Sequence, residues 1–215
     1  MKLMSRRMRL MVAAVALGGF TAGVQAAGMI GDPVAGEEKA GLCGGCHGFD
    51  GNSEDATYPR LAGQYAGYIV KQVKDFQKGH RANNDTMAGM AAMVASTEDA
   101  KDIGSYFSTK EMKGALTKAD KKLVAAGKKI FLEGNPKTGL YGCVNCHGER
   151  GKGKSAKIST FPRIGGQHRD YLLKQLNDFR SGARANDPGS MMVGIAKKLS
   201  ENELKAVAEY LSTEL

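Results

Sequence analysis

The chain has 215 residues, 25% of them charged, a formal net charge of +9 and only four cysteines. Past the first 26 residues no stretch approaches the ~20 apolar residues of a spanning helix, which argues against an integral membrane protein. The positive balance alone would admit nucleic acid as a partner, but the N-terminal segment argues against that by sending the product out of the cytoplasm.

Residues 1–26 read as a secretory signal peptide. Lys2, Arg6, Arg7 and Arg9 make a positive front, Leu10 to Phe20 a short apolar core, and Val24-Gln25-Ala26 the small residues of a cleavage site. Ser5-Arg6-Arg7 touches the twin-arginine pattern. That route is discounted, because a cofactor attached after export needs an unfolded chain. The expected product begins near Ala27 and is soluble and periplasmic.

Cys43-Gly44-Gly45-Cys46-His47 comes next, and Cys143-Val144-Asn145-Cys146-His147 repeats it. Together they use every cysteine. Cys-x-x-Cys-His is the attachment signature of c-type haem: one backbone turn offers two thiols to one porphyrin edge and places the imidazole beneath the iron. A four-thiolate zinc site would need the pairs in one compact ribbon, and they lie a hundred residues apart. A thioredoxin-type dithiol would need a βαβ context, which the pattern lacks. Two covalent haems are expected, bound through Cys43, Cys46, Cys143 and Cys146, with no structural disulfide. Each half is small, and domains of that size are marginal alone, so the haem-free chain should fold poorly.

The motif belongs to a longer repeat. Tyr58-Pro59-Arg60-Leu61-Ala62-Gly63-Gln64 returns as Phe161-Pro162-Arg163-Ile164-Gly165-Gly166-Gln167. Tyr68, Lys71-Gln72, Asp75-Phe76, Gly79 and Arg81 return as Tyr171, Lys174-Gln175, Asp178-Phe179, Gly182 and Arg184. Met87-Ala88-Gly89-Met90-Ala91 returns as Met192-Val193-Gly194-Ile195-Ala196. This is a duplication, with domains expected at 27–109 and 123–215 and a lysine-rich linker at 110–122.

The periodicity is helical throughout, so the fold class is all-α. Helices are expected over 64–78, with Tyr65, Tyr68, Ile69, Val73 and Phe76 on one stripe, and over its twin 167–181. Others are expected over 96–107, over 117–133 starting at Thr117, and after the capping box Ser200-Glu201-Asn202-Glu203. Glycine and small polar residues mark loops between each haem motif and its Pro-Arg segment.

His47 and His147 supply one iron ligand each. For the opposite side, His80 and His168 do not recur between the repeats and are expected at the surface. Met87 and Met192 do recur, and a thioether is a soft ligand that raises the reduction potential. Met90, Met93 and Met191 read as core packing, with Met191 the runner-up ligand. Pro59 and Pro162 either supply the carbonyl that orients a ligating histidine or simply turn the chain. Arg60 and Arg163 are candidates to pair with haem propionates, and Tyr58/Phe161 and Tyr68/Tyr171 fit plain core.

These residues resemble the dihaem cytochrome c4 family over essentially the whole mature chain. The resemblance implies two tandem class I cytochrome c domains related by a pseudo-twofold axis, with haems facing each other through their propionate edges. It implies His/Met coordination, His47 with Met87 and His147 with Met192. It also implies a carrier of electrons from a quinol-oxidising complex or dehydrogenase to a terminal oxidase. One departure is a single extra residue after Met87, at Ala95-Ser96-Thr97, which leaves the first methionine alignment gapped. A dihaem peroxidase would need one iron able to open, and two equivalent methionines oppose it. The cytochrome subunit of a flavoprotein dehydrogenase, such as a sulfide-oxidising one, stays open.

Charge divides between the halves. Residues 27–109 carry seven Lys/Arg against eleven Asp/Glu, and residues 110–215 carry twenty against eleven. Arg150, Lys152, Lys154, Lys157 and Arg163 lie near the second haem motif, and Asp50, Glu54 and Asp55 near the first. Such a dipole steers different partners to the two ends; solvated lysines are the plainer reading. Peripheral membrane association is compatible with the basic half.

Overall fold

The computed structural model describes residues 30–114 and 119–214; the leader at 1–26 and the Thr117 start lie outside them. Among the described residues ten α-helices follow one another, with an isolated bridge between Asn135 and Leu140 and no strand. The first five are α1 (Pro33–Lys39), α2 (Gly41–His47), α3 (Ala66–Gln77), α4 (Asp85–Ala92) and α5 (Thr97–Ser108). The second set is α6 (Lys121–Glu133), α7 (Val144–His147), α8 (Arg169–Ser181), α9 (Met191–Lys197) and α10 (Glu201–Ser212).

Side-chain caps set most helix starts, because the first-turn N–H groups have no partner inside the helix. Asp32 caps α1 with Pro33 at its first position, Ser96 caps α5, and Ser200 with Glu203 forms the reciprocal box of α10. Asp120 caps α6 by accepting from Lys122 N at 2.8 Å. The helix therefore begins at Lys121, four residues later than the Thr117 expectation, because a carboxylate at 120 takes the orphan amides.

In each half the first helix crosses the last at a glycine. Gly36 of α1 lies on the Asp102 carbonyl of α5, and Gly127 of α6 lies on the Ala206 carbonyl of α10, so a Cβ at either would run into backbone oxygen. Ile69, Val73, Phe76, Ile103 and Phe107 fill the first core; Phe131, Leu172, Val207 and Leu211 fill the second. Phe107 and Phe131 are 0% exposed, and burying such a ring is worth about 1.5–3 kcal/mol. Lys39 ties the first crossing further, bonding Asp99 at 2.7 Å and Asp102 at 2.5 Å.

The halves meet through matched hydrogen bonds. Gln167 accepts from Arg60 N at 2.8 Å and donates to Arg60 O at 2.9 Å; Gln64 accepts from Arg163 N at 3.0 Å and donates to Arg163 O at 2.8 Å. Beside them, Arg81 donates to Gln175 at 2.9 Å while Arg184 donates to Gln72 at 3.1 Å. Asn83 donates to Asp178 and Asn186 to Asp75, both at 2.6 Å. Each of these bonds has its counterpart under exchange of the halves, which is the pattern of a pseudo-twofold interface.

Candidate haem sites

Each Cys-x-x-Cys-His motif sits on a short helix, α2 or α7, that ends at the histidine and turns sharply at a glycine of positive φ, Gly48 or Gly148. The loop beyond carries Gly51 or Gly151, whose carbonyl accepts from Leu61 N or Ile164 N, each at 2.8 Å. Gly63 N then bonds the Phe107 carbonyl at 2.9 Å, and Gly166 N bonds that of Leu211 at 2.8 Å. These bonds pin each Pro-Arg segment between the haem loop and the last helix.

The pinned prolines face the histidines. His47 Nδ1 lies 2.8 Å from Pro59 O, and His147 Nδ1 lies 2.9 Å from Pro162 O. A carbonyl only accepts, so Nδ1 carries the proton and Nε2 holds the free lone pair. Of the two roles open to these prolines, orienting the histidine is the one they take. Both histidines are 7% exposed, and burial holds their pKa below the ordinary value, keeping the rings neutral.

Both histidines line one cavity of about 1000 Å3 that also takes in every cysteine. That is the upper end of the ~300–1,000 Å3 of a single small-molecule site. Before any haem is attached, burial pushes the Cys43 and Cys143 thiols up to about 11. Met87, Met90, Met191 and Met192 also line the space.

The amides of Met87 and Met192 are each held by a preceding polar side chain: Asn84, three residues back, accepts from Met87 N at 2.8 Å, and Asp187, five residues back, accepts from Met192 N at 2.6 Å. Four residues on, Ala91 and Ala196 are both 0% exposed. The extra residue of the first half therefore falls after α4 and leaves the two methionines in register.

The residues present fit a porphyrin. The cavity wall is largely apolar, and Arg60, 2% exposed, lines it with a buried Nε that has no hydrogen-bond partner. That is a suitable donor for a propionate. Arg163 differs, because its Nε already donates to Lys152 O at 2.9 Å, although the Nη1 atoms of both arginines make matching bonds to Gly63 O and Gly166 O.

Several expectations are corrected. His168 is not a surface residue: it is 6% exposed at the interface, with Nε2 2.9 Å from Ser53 O and 3.0 Å from Ser53 Oγ. Its counterpart by the repeat is Tyr65, so lack of recurrence said nothing about burial. Met93, read as core, is 62% exposed, and Met191, 42% exposed, borders the cavity and is not packed in the core. Tyr68 and Tyr171 are not plain core, since their hydroxyls accept from Arg184 at 2.9 Å and Arg81 at 3.3 Å. The sequence carries a signal for the interface arginines and glutamines: Gln72, Arg81, Gln175 and Arg184 recur in the repeat although none adjoins its own haem motif. His80 is exposed, as expected.

Comparison with known proteins gives a consistent picture. The family model "Cytochrome c" matches residues 124–214. The chain is 44% identical over 188 residues to cytochrome c4 of Thiocapsa roseopersicina, covering 86% of this chain and 94% of that one. A thiosulfate dehydrogenase electron acceptor of Stutzerimonas stutzeri (strain A1501) is 36% identical, covering 79% of this chain and 77% of its own. Among solved structures, reduced recombinant cytochrome c4 from Pseudomonas stutzeri superposes with a TM-score of 0.79 at 37% identity, over 86% of this chain and 100% of that one. Two class I cytochrome c domains, a repeated haem motif and this degree of identity over most of the length lead to one conclusion: the chain belongs to the cytochrome c4 family and is a dihaem electron-transfer cytochrome.

Proposed function

We propose that Cys43 and Cys46 hold one haem through thioethers with His47 and Met87 on its iron, and that Cys143, Cys146, His147 and Met192 do the same for the second. The observation that carries this is the pair of histidines tethered through Nδ1 to proline carbonyls inside the cavity that both methionines line. Each ring then has one atom, Nε2, left to bind metal. The haem supplies a one-electron ferric/ferrous couple whose potential a thioether ligand raises. The protein's part is to fix both ligands, exclude water with the apolar wall and hold the two centres together across the interface. With both axial positions filled from the chain no substrate position remains, so the protein carries electrons and catalyses no chemistry of its own. A peroxidase reading would require an iron that opens to peroxide.

The leader places the protein in the periplasm, with its two units at 27–109 and 123–215 joined through 110–122. Its partners are redox proteins: a quinol-oxidising complex or dehydrogenase upstream, a terminal oxidase downstream. Lys152, Lys154 and Lys157 are exposed on the basic half, which favours an acidic partner or a membrane surface there. A second reading, the electron acceptor of a sulfur-compound dehydrogenase, is favoured by the likeness to the thiosulfate dehydrogenase electron acceptor.

The first reading is tested by haem quantification and optical spectra of the exported protein. Two haems per chain are expected, with a methionine-to-iron band that halves in Met87→His or in Met192→His and vanishes in the double variant. A full band in the double variant would remove both methionines from the irons. Reduction rates with a purified quinol-oxidising complex and with a thiosulfate dehydrogenase then separate the two readings.

A further inference from the structure

His168 stands where the other half has Tyr65, and the two meet unlike neighbours. The Tyr65 hydroxyl donates to the Lys152 carbonyl oxygen at 3.4 Å, and its ring packs over Gly153 and under Arg163. His168 meets Ser53, the residue equivalent to Gly153. Its Nε2 faces the Ser53 carbonyl oxygen, so Nε2 carries the ring proton and Nδ1 is the atom that gains a second. Ser53 Oγ donates in turn to Tyr58 O at 2.7 Å, one residue before the proline whose carbonyl holds His47. No such side-chain link exists at Gly153, so the second histidine lacks it.

We propose that His168 is a positioning residue for the first iron site: from the second domain it braces the loop that orients His47, and its charge state sets the reduction potential of that iron and not of the other. The inference rests on His47 being an iron ligand. An electron from the redox partner converts ferric to ferrous iron, and a solvent proton is taken up at His168 Nδ1, since a cation beside the site disfavours the ferric state. Oxidation returns both. The charged groups facing His168 are Arg60 of the Pro-Arg segment, which opposes protonation, and Asp55 of the Ser53 loop and Asp170 of α8, which favour it. Burial is the largest influence and lowers its pKa below the ordinary histidine value, with Arg60 adding to it.

The experiment is a spectroelectrochemical titration of the holoprotein between about pH 5 and pH 8, the first haem being identified by its shift in Met87→His. One potential, that of the first haem, is expected to fall as pH rises while the second stays level. Each tenfold difference in His168 proton affinity between the two redox states corresponds to about 59 mV. His168→Gln keeps a donor for the Ser53 carbonyl but cannot titrate, and His168→Tyr installs the residue of the other half. Both should flatten the first curve, and the glutamine variant should keep the wild-type unfolding midpoint. Two level curves in the wild type, or a slope that survives in the glutamine variant, would overturn the inference. Failure of the ligand assignment registers separately, as a missing haem or a missing methionine band in the same spectra.

Discussion

Arg81 and Arg184 reach across to Gln175 and Gln72 in matching geometry, stacking over Phe76 and Phe179 with the guanidinium 4.5 Å from each ring centre. Met93 and Lys198, equivalent positions on the outer rim, differ completely in charge. The same division runs through the molecule. The glutamines, arginines and asparagines that face the pseudo-twofold axis repeat in identity and in bonding, with His168 against Ser53 as the exception, whereas exposed residues diverge until one half is acidic and the other basic. A residue at a twofold interface meets the counterpart of its own partner, so a change there disturbs two bonds at once. An outer residue answers only to solvent and to whatever docks on its own side.

The comparison can be broken first at the helix crossings. Gly127→Ala and Gly36→Ala each drive a methyl group into a backbone carbonyl, and overpacking of this kind costs about 1–3 kcal/mol or more. Thermal unfolding followed at the haem bands should drop in both variants. The larger drop is expected for Gly127, which sits in the 13-residue α6 that carries fully buried Phe131, rather than in the 7-residue α1.

The interface is the next test. Gln72 accepts from both arginines, Arg81 at 2.8 Å and Arg184 at 3.1 Å, and Gln175 does likewise at 2.9 Å and 2.8 Å. Both arginines are buried, at 6% and 4% exposed. Alanine at either glutamine should cost about 1.5–3 kcal/mol, the value of hydrogen bonds to a charged group. Chemical denaturation should show equal losses from the two sites if the symmetry is energetic as well as geometric. A loss at one site only would confine the equivalence to shape. The smallest effect is expected outside. Lys152→Glu, Lys154→Glu and Lys157→Glu together should slow electron transfer to an acidic partner at low ionic strength and change nothing at high salt, where exposed charges are screened.

The haem motifs were readable because they are local. Two thiols and an imidazole within five residues share one helical turn, and their chemistry needs no information from elsewhere in the chain. The duplication was readable for a related reason, since Pro59-Arg60 and Pro162-Arg163 declare their equivalence by order alone. His168 shows where that reading stops. Its failure to recur suggests a surface position, yet it closes the interface against Ser53 at a sequence distance of 115 residues. Non-recurrence marked an asymmetry between the halves and carried no information about exposure. Met93 erred in the opposite sense, because an apolar side chain on a short helix reveals neither which face it takes nor whether that face is covered.

The sequence by itself determined the two attachment motifs, the duplicated plan, the helical character and the caps, all set by residues close together along the chain. The tertiary structure decided which carbonyl orients each histidine, that the paired glutamines and arginines join the halves, that Arg60 keeps a free donor in the cavity, and that His168 is buried. Each of these depends on groups brought together from distant segments, and only the packed chain puts an acceptor within reach of its donor.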